Sequence, residues 1–286
     1  MSKKVTSKTF LQAKNSTKKE KLALLTAYDY STAKYLDEAG VDAILVGDSL
    51  GMVALGYETT HQVTMTEMKI FTSAVARGTE RAMVVADMPF LSTSISIEKA
   101  IENAGELIRA GANAVKIEGG NEYTIELVKR LVASGIAVVA HLGFTPQFLH
   151  VFGGYNIQGK TFEQTEFILN QAKQLEKAGA FALVLEMVPE ESAKFITENL
   201  SIPTIGIGAG RFCDGQILVV DDVLGKYSDF APKFAKKYAD LKTVIFEASK
   251  NYVQDVKSGE FPSIAHIFNI SEEEKEKLND KISTKN

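Results

Sequence analysis

Short apolar runs alternate with amphipathic stretches along most of the chain, and that alternation predicts its elements. Runs of Val, Ile, Leu and Ala bounded by Gly or charged residues read as strands buried on both faces. They fall at 22–27, about 43–47, 82–86, 114–118, 136–140, 181–185, 204–207 and 217–220. Between them the apolar positions recur at helical spacing over 31–38, 66–77, 96–110, a stretch ending at Ser134, 162–178, 190–200 and, last, 240–257. Gly40, Gly111 and Gly179 stand just past predicted helix ends, where a left-handed residue closes the last turn. This order predicts the α/β class, and a closed (β/α)8 barrel in preference to an open doubly wound sheet. The reading makes residues 1–270 one barrel domain with a short N-terminal helix, and 271–286 a charged tail. Ser271 and Glu274 fit a capping box for a surface helix in that tail, with a frayed end as the alternative.

Four of the runs end on or beside a carboxylate: Asp48, Asp87, Glu118 and Glu186. In a parallel barrel all strands point one way, so these groups converge on the catalytic face. Clustered carboxylates repel, and such a site usually holds a divalent cation, a shared proton or a cationic partner. Asp48 and Asp87 follow neighbouring strands about 4.8 Å apart, close enough to share one ion. Oxygen ligands with no His or Cys expected nearby favour Mg²⁺ over zinc. The plainer alternative is that each Asp caps the following turn. Lys116 and Glu118 lie two apart on one strand face, which suits either an internal ion pair or a hold on a ligand anion. Glu186, followed by Met187, Val188 and Pro189, is expected in an apolar setting that would tune it as a general base. His141 ends the fifth strand, either as a core residue or in the pocket.

Composition narrows the function further. Across 286 residues the formal net charge is −4, which gives no basic field for nucleic acid or an anionic membrane surface. Cys213 is the only cysteine, so a disulfide framework is excluded and a reducing compartment is expected. The Lys-rich first 21 residues lack the apolar core of a signal peptide, and cytoplasm is the expected location. The Gly206–Gly210 stretch has its third glycine too early for a dinucleotide fingerprint. It reads as a tight loop, as does 143–160, and Cys213 has no base beside it in sequence.

The motifs together resemble one family, the ketopantoate hydroxymethyltransferases. The matching stretches are Thr26-Ala-Tyr-Asp-Tyr30, Val46-Gly-Asp-Ser-Leu-Gly-Met52, Ala86-Asp-Met-Pro-Phe90 and Val115-Lys-Ile-Glu-Gly-Gly120. They continue with His141-Leu-Gly-Phe-Thr-Pro-Gln147, Phe152-Gly-Gly-Tyr155, Leu185-Glu-Met-Val-Pro189, Ile205-Gly-Ile-Gly-Ala-Gly210, Asp214-Gly-Gln216 and Pro232-Lys-Phe234. The resemblance implies a barrel of the phosphoenolpyruvate mutase/isocitrate lyase type, Mg²⁺, 5,10-methylenetetrahydrofolate as co-substrate and a homodecamer. It implies transfer of a hydroxymethyl group to 3-methyl-2-oxobutanoate through a metal-stabilised enolate, in pantothenate biosynthesis. By the same resemblance Asp48 and Asp87 are direct metal ligands that also meet the substrate, and Glu118 reaches the metal through water. Ser49 and Lys116 hold the oxoacid carboxylate, His141 is a polar pocket partner and Glu186 is the base. His61-Gln62, Phe71 and Asp221 depart from the usual pattern, which touches loop packing and folate contacts.

Overall fold

Eight parallel strands close into a barrel in the computed structural model, which describes residues 3–16, 20–227 and 232–283. The strands are β1 (Leu22–Thr26), β2 (Ala43–Val46), β3 (Met83–Asp87), β4 (Ala114–Glu118), β5 (Ala137–Gly143), β6 (Ala182–Glu186), β7 (Thr204–Ile207) and β8 (Gly215–Leu218). They pair in sequence order, and β1 closes on β8 through Leu22–Gly215 to Leu25–Leu218. The helices of this part are α1 (Ser7–Asn15), α2 (Tyr30–Ala39), α3 (Leu50–Val53), α4 (Met65–Gly78), α5 (Ile97–Arg109) and α6 (Glu122–Ala133). They continue with α7 (Leu149–Phe152), α8 (Phe162–Ala178), α9 (Glu190–Glu198) and α10 (Val220–Leu224).

Two apolar layers hold this architecture. Outward strand residues such as Ile44, Val84, Val115, Val138 and Leu183 pack under Met68, Leu107, Leu127 and Leu175 of the helices. Inside the barrel a second layer collects Leu22, Leu24, Leu45, Met83, Val85, Val139, Val184 and Ile205. Phe10 of α1 joins that inner layer, almost wholly buried, with its ring edge-on to Phe181 at 5.5 Å. Its burial contributes roughly 2–3 kcal/mol. Helix ends follow local chemistry: Asp29, Thr64, Ser96, Asn121 and Thr161 accept a backbone N–H at the N-termini of α2, α4, α5, α6 and α8. Gly40 and Gly179 close α2 and α8 in the left-handed conformation.

The expected elements are present with shifted edges, and the structure adds three short helices that the pattern did not predict: α3, α10 and, inside the 143–160 stretch read as a loop, α7. The eighth strand lies at Gly215–Leu218, two residues before the expected run, and β5 extends through Gly143. That extension is fixed by pairing, since Leu142 and Gly143 sit opposite Leu185 and Glu186. Gly143 has φ +92°, and a Cβ there would collide with the Glu186 carbonyl oxygen and lie 2.7 Å from Val188 Cγ2. Gly143→Ala is expected to destabilise the protein by roughly 2–5 kcal/mol, from the left-handed backbone and the overpacking together. Urea unfolding measures this, and an unmoved midpoint would show that the β5–β6 contact yields without cost.

The chain divides into two compact units, Met1–Tyr238 and Ala239–Asn286. The helix expected at 240–257 stands in the second unit as α11 (Leu241–Ser258). None of the residues of α11 is buried. The tail forms α12 (Glu272–Ser283), braced by Lys277 to Glu273 and Glu274 and by Lys275 to Glu272. Residues 284–286 of the expected tail lie outside the described residues. Among those described, no helix is long and apolar enough to cross a membrane.

Candidate active site

Inward-facing side chains change character along the barrel axis. Because successive strand residues alternate faces, the positions in phase with Val85, Ala114, Val139 and Val184 are Asp87, Lys116, Glu118, His141 and Glu186. The barrel is thus apolar through its middle and ionic at the C-terminal strand ends. Asp48, Asp87, Lys116, Glu118 and His141 are all buried, while Glu186 keeps 17% of its side chain exposed. Lys116 Nζ lies 3.1 Å from Asp87 Oδ1, 3.7 Å from Glu118 Oε1 and 3.2 Å from His141 Nδ1. The Asp48 backbone N–H donates to Asp87 Oδ2 at 3.0 Å. His141 Nδ1 is 3.5 Å from Glu118 Oε1, and its Nε2 is 3.4 Å from Glu186 Oε2. At the rim, Ser49 Oγ shares a 2.9 Å hydrogen bond with the buried Tyr28 hydroxyl.

Each of these ions would cost several kcal/mol if buried alone, and only their grouping makes the site tolerable. Burial pushes the Asp48 carboxyl well above the usual carboxylate range, and the charges of Asp87 and Glu118 add to this. Burial raises Asp87 as well, against the pull of Lys116. Glu118 is burdened by burial too, yet the His141 hydrogen bond and the Lys116 charge hold it below its ordinary value. Burial and Lys116 depress His141, but Glu118 and Glu186 outweigh them and leave the ring easier to protonate than a free imidazole. For Lys116, burial opposes the charge, and Asp87, Glu118 and Asp48 more than restore it. Lys116 Nζ thus stands at Nδ1 of the His141 ring and Glu186 Oε2 at its Nε2.

A family model described as ketopantoate hydroxymethyltransferase matches residues 4–264. The chain belongs to that family. As a ketopantoate hydroxymethyltransferase family member it is 59% identical over 250 residues to a 3-methyl-2-oxobutanoate hydroxymethyltransferase of Thermotoga neapolitana, covering 87% of this chain and 92% of the relative. It is 54% identical over 271 residues to the enzyme of that name from Clostridium novyi, covering 94% and 98%. Among solved structures it resembles 2,3-dimethylmalate lyase, described as a PEP mutase/isocitrate lyase superfamily member, with TM-score 0.58, 15% identity and 98% of each chain covered. Phosphonopyruvate hydrolase, solved in complex with oxalate and Mg²⁺, matches at TM-score 0.59 and 12% identity, again over 98% of each chain. At these identities the structural likeness concerns the fold.

Against the sequence reading, the cluster is tighter in some contacts and different in others. Asp48, Asp87, Lys116, Glu118, His141 and Glu186 are brought together, with Ser49 beside Asp48. Lys116 lies closer to Asp87 on the adjacent strand than to Glu118, because β3 and β4 pair Asp87 directly with Lys116. A histidine does stand among the carboxylates, since β4 and β5 pair Glu118 with His141. Glu186 faces that imidazole in place of the expected apolar surroundings. Its residue is followed by Met187 with φ +49°, a left-handed turn held by Met187 N–H to Ile207 O and by Gln158 N–H to Met187 O. Cys213 is buried, and burial raises its thiol. Gly208 and Gly210 make room for Phe234 and Glu190, the latter paired with Arg211. A cavity of about 460 Å³ is lined by Gly119, Leu142, Gly143, Phe148, Phe167 and Gln171 and by none of the ionised groups of the cluster. The sequence reading passed over Gln147, whose contacts are made across the barrel mouth; only its place in the His141–Gln147 motif pointed to it.

Proposed function

We propose that this chain transfers a hydroxymethyl group from 5,10-methylenetetrahydrofolate to 3-methyl-2-oxobutanoate, giving 2-dehydropantoate and tetrahydrofolate. The observation that carries this reading is the line Asp48–Asp87–Lys116–Glu118–His141–Glu186, in a chain that belongs to the family. It sets a partly exposed carboxylate at one end of a buried ionic site. The residues fit Mg²⁺ by their chemistry. Three carboxylates, Asp48, Asp87 and Glu118, are buried together beside the single ammonium of Lys116, and burial disfavours the charge on Asp48 and Asp87 until a cation offsets it. Among the described residues no three His, Cys, Asp or Glu side chains gather closely enough to hold an ion by themselves. Mg²⁺ suits a site with few direct protein ligands, since it keeps several waters and takes one or two carboxylates plus substrate oxygens. Asp48 and Asp87 would hold it directly and Glu118 through water.

Mg²⁺, when bound, supplies a Lewis acid that withdraws electron density from the keto group and so acidifies the neighbouring C3–H. The protein does the rest. Lys116 and the Ser49 hydroxyl hold the oxoacid carboxylate, and Tyr28 fixes the Ser49 hydroxyl. Glu186 removes the C3 proton, with His141 Nε2 orienting its carboxylate. The carbanion bonds to the one-carbon unit and water supplies its hydroxyl oxygen, while the unit's bonds to both folate nitrogens break and those nitrogens take up the two protons released, one from C3 and one from water. The homodecamer and the cytoplasmic location implied by the resemblance belong to the same proposal.

Proton NMR of 3-methyl-2-oxobutanoate in D₂O tests the first half without any folate. With protein and Mg²⁺ the methyl doublet is expected to collapse as the C3 proton exchanges, and without Mg²⁺ it is expected to persist. Persistence of the doublet even with Mg²⁺ and tetrahydrofolate together would reject the deprotonation step.

A further inference from the structure

Gln147 takes no part in the scheme above, yet it is bonded to four different segments of the barrel mouth. It sits in the single 3₁₀ turn Pro146–Phe148 after β5. Its backbone N–H donates to Glu118 Oε2 at 3.0 Å. Its side-chain amide donates to Asp48 Oδ2 at 2.9 Å and to the Met88 carbonyl at 2.9 Å. Its own carbonyl lies 2.9 Å from His61 Nε2, and the His61 ring packs on Phe90 at 4.3 Å and on His150 at 4.9 Å. One residue thereby joins the end of β4 to the loops that follow β2, β3 and β5.

The chemistry of the group matters as much as its place. Among the described residues no other hydrogen bond reaches the Asp48 carboxylate, so the amide alone sets the rotation of that buried group. A primary amide has two N–H donors, and both are used. It is also neutral. A Lys or Arg here would satisfy Asp48 but repel a cation, and an Asp or Glu would crowd a cluster that already holds Asp48, Asp87 and Glu118. An amide satisfies one oxygen of the carboxylate and leaves the other oxygen free.

We propose that Gln147 is a positioning residue for the divalent cation, orienting Asp48 through its side chain and Glu118 through its backbone. This rests on the reading that those carboxylates serve Mg²⁺. Mn²⁺ prefers the same hard oxygen ligands and is paramagnetic, so its free concentration is read by electron paramagnetic resonance with no need of turnover. Gln147→Leu is expected to weaken Mn²⁺ binding about 10–100-fold, the usual cost of losing a partner behind a ligand. His61→Ala removes the contact to the Gln147 carbonyl but leaves the amide on Asp48, and is expected to bind Mn²⁺ as the wild-type chain does. Equal weakening in both variants would mean that anchoring the loop, not orienting the carboxylate, is what counts, and would overturn the proposal. So would wild-type affinity in Gln147→Leu. Failure of the wild-type chain itself to bind Mn²⁺ is a separate result, which overturns the metal reading beneath it. Near-ultraviolet circular dichroism of the metal-free variants checks folding. Should Gln147→Leu not fold, Gln147→Asn keeps the amide one methylene short and is expected to show the same loss in weaker form, with unchanged affinity counting against the proposal.

Discussion

Glu186→Gln is expected to bind 3-methyl-2-oxobutanoate while exchanging its C3 proton about 10²–10⁴-fold more slowly than the wild-type chain, the ordinary contribution of a general base. The substitution conserves volume and leaves an oxygen for His141 Nε2, now 3.4 Å from Glu186 Oε2. What it removes is the ability to accept a proton. Glu186 is the member of the line with the most exposure, so the change does not unpair a fully buried ion, and folding should be retained. Solvent exchange of the C3 proton is the decisive readout because it needs no folate. Wild-type exchange in Glu186→Gln would remove Glu186 from the mechanism and leave the ring of His141 as the nearest group able to take a proton.

Asp87→Asn should weaken Mg²⁺ binding more than about 100-fold, beyond what loss of an outer partner costs. Two things are lost at once. Asn offers a cation one carbonyl oxygen in place of two carboxylate oxygens, and it lacks the negative charge with which Asp87 already holds Lys116 Nζ at 3.1 Å from Oδ1. Asn retains an oxygen to accept the Asp48 backbone N–H. Lys116 keeps Glu118 at 3.7 Å, so the buried ammonium is not left wholly uncompensated. The variant should therefore fold and fail in metal binding, a combination that titration calorimetry alongside thermal unfolding resolves. Undiminished Mg²⁺ affinity would take Asp87 out of the ligand set.

These two expectations draw on different amounts of sequence information. That Asp87, Glu118 and Glu186 share one end of the barrel follows from two local facts: each closes an apolar run, and all the runs are parallel strands. That Lys116 and Glu118 share a face follows from the period of two. The same pattern placed Glu186 in an apolar setting, because Met187, Val188 and Pro189 surround it along the chain. The left-handed turn at Met187 and the pairing of β5 with β6 instead put it against His141. Local composition reports neighbours along the chain, and a barrel mouth is built from neighbours across it.

Strand order, the closure at eight strands, the acidic face and the family itself were determined by sequence, since each depends on periodicity, strand polarity or contiguous motifs. The tertiary structure alone decided that Lys116 lies nearer Asp87, that His141 links Glu118 to Glu186, and that a compact unit ends at Tyr238. It also decided that Gln147 reaches Asp48 across 99 residues of chain. The reason is physical. A side chain's face is set by its own backbone, whereas its partner is set by the register between strands and by loops that cross the barrel, which no short window of sequence contains.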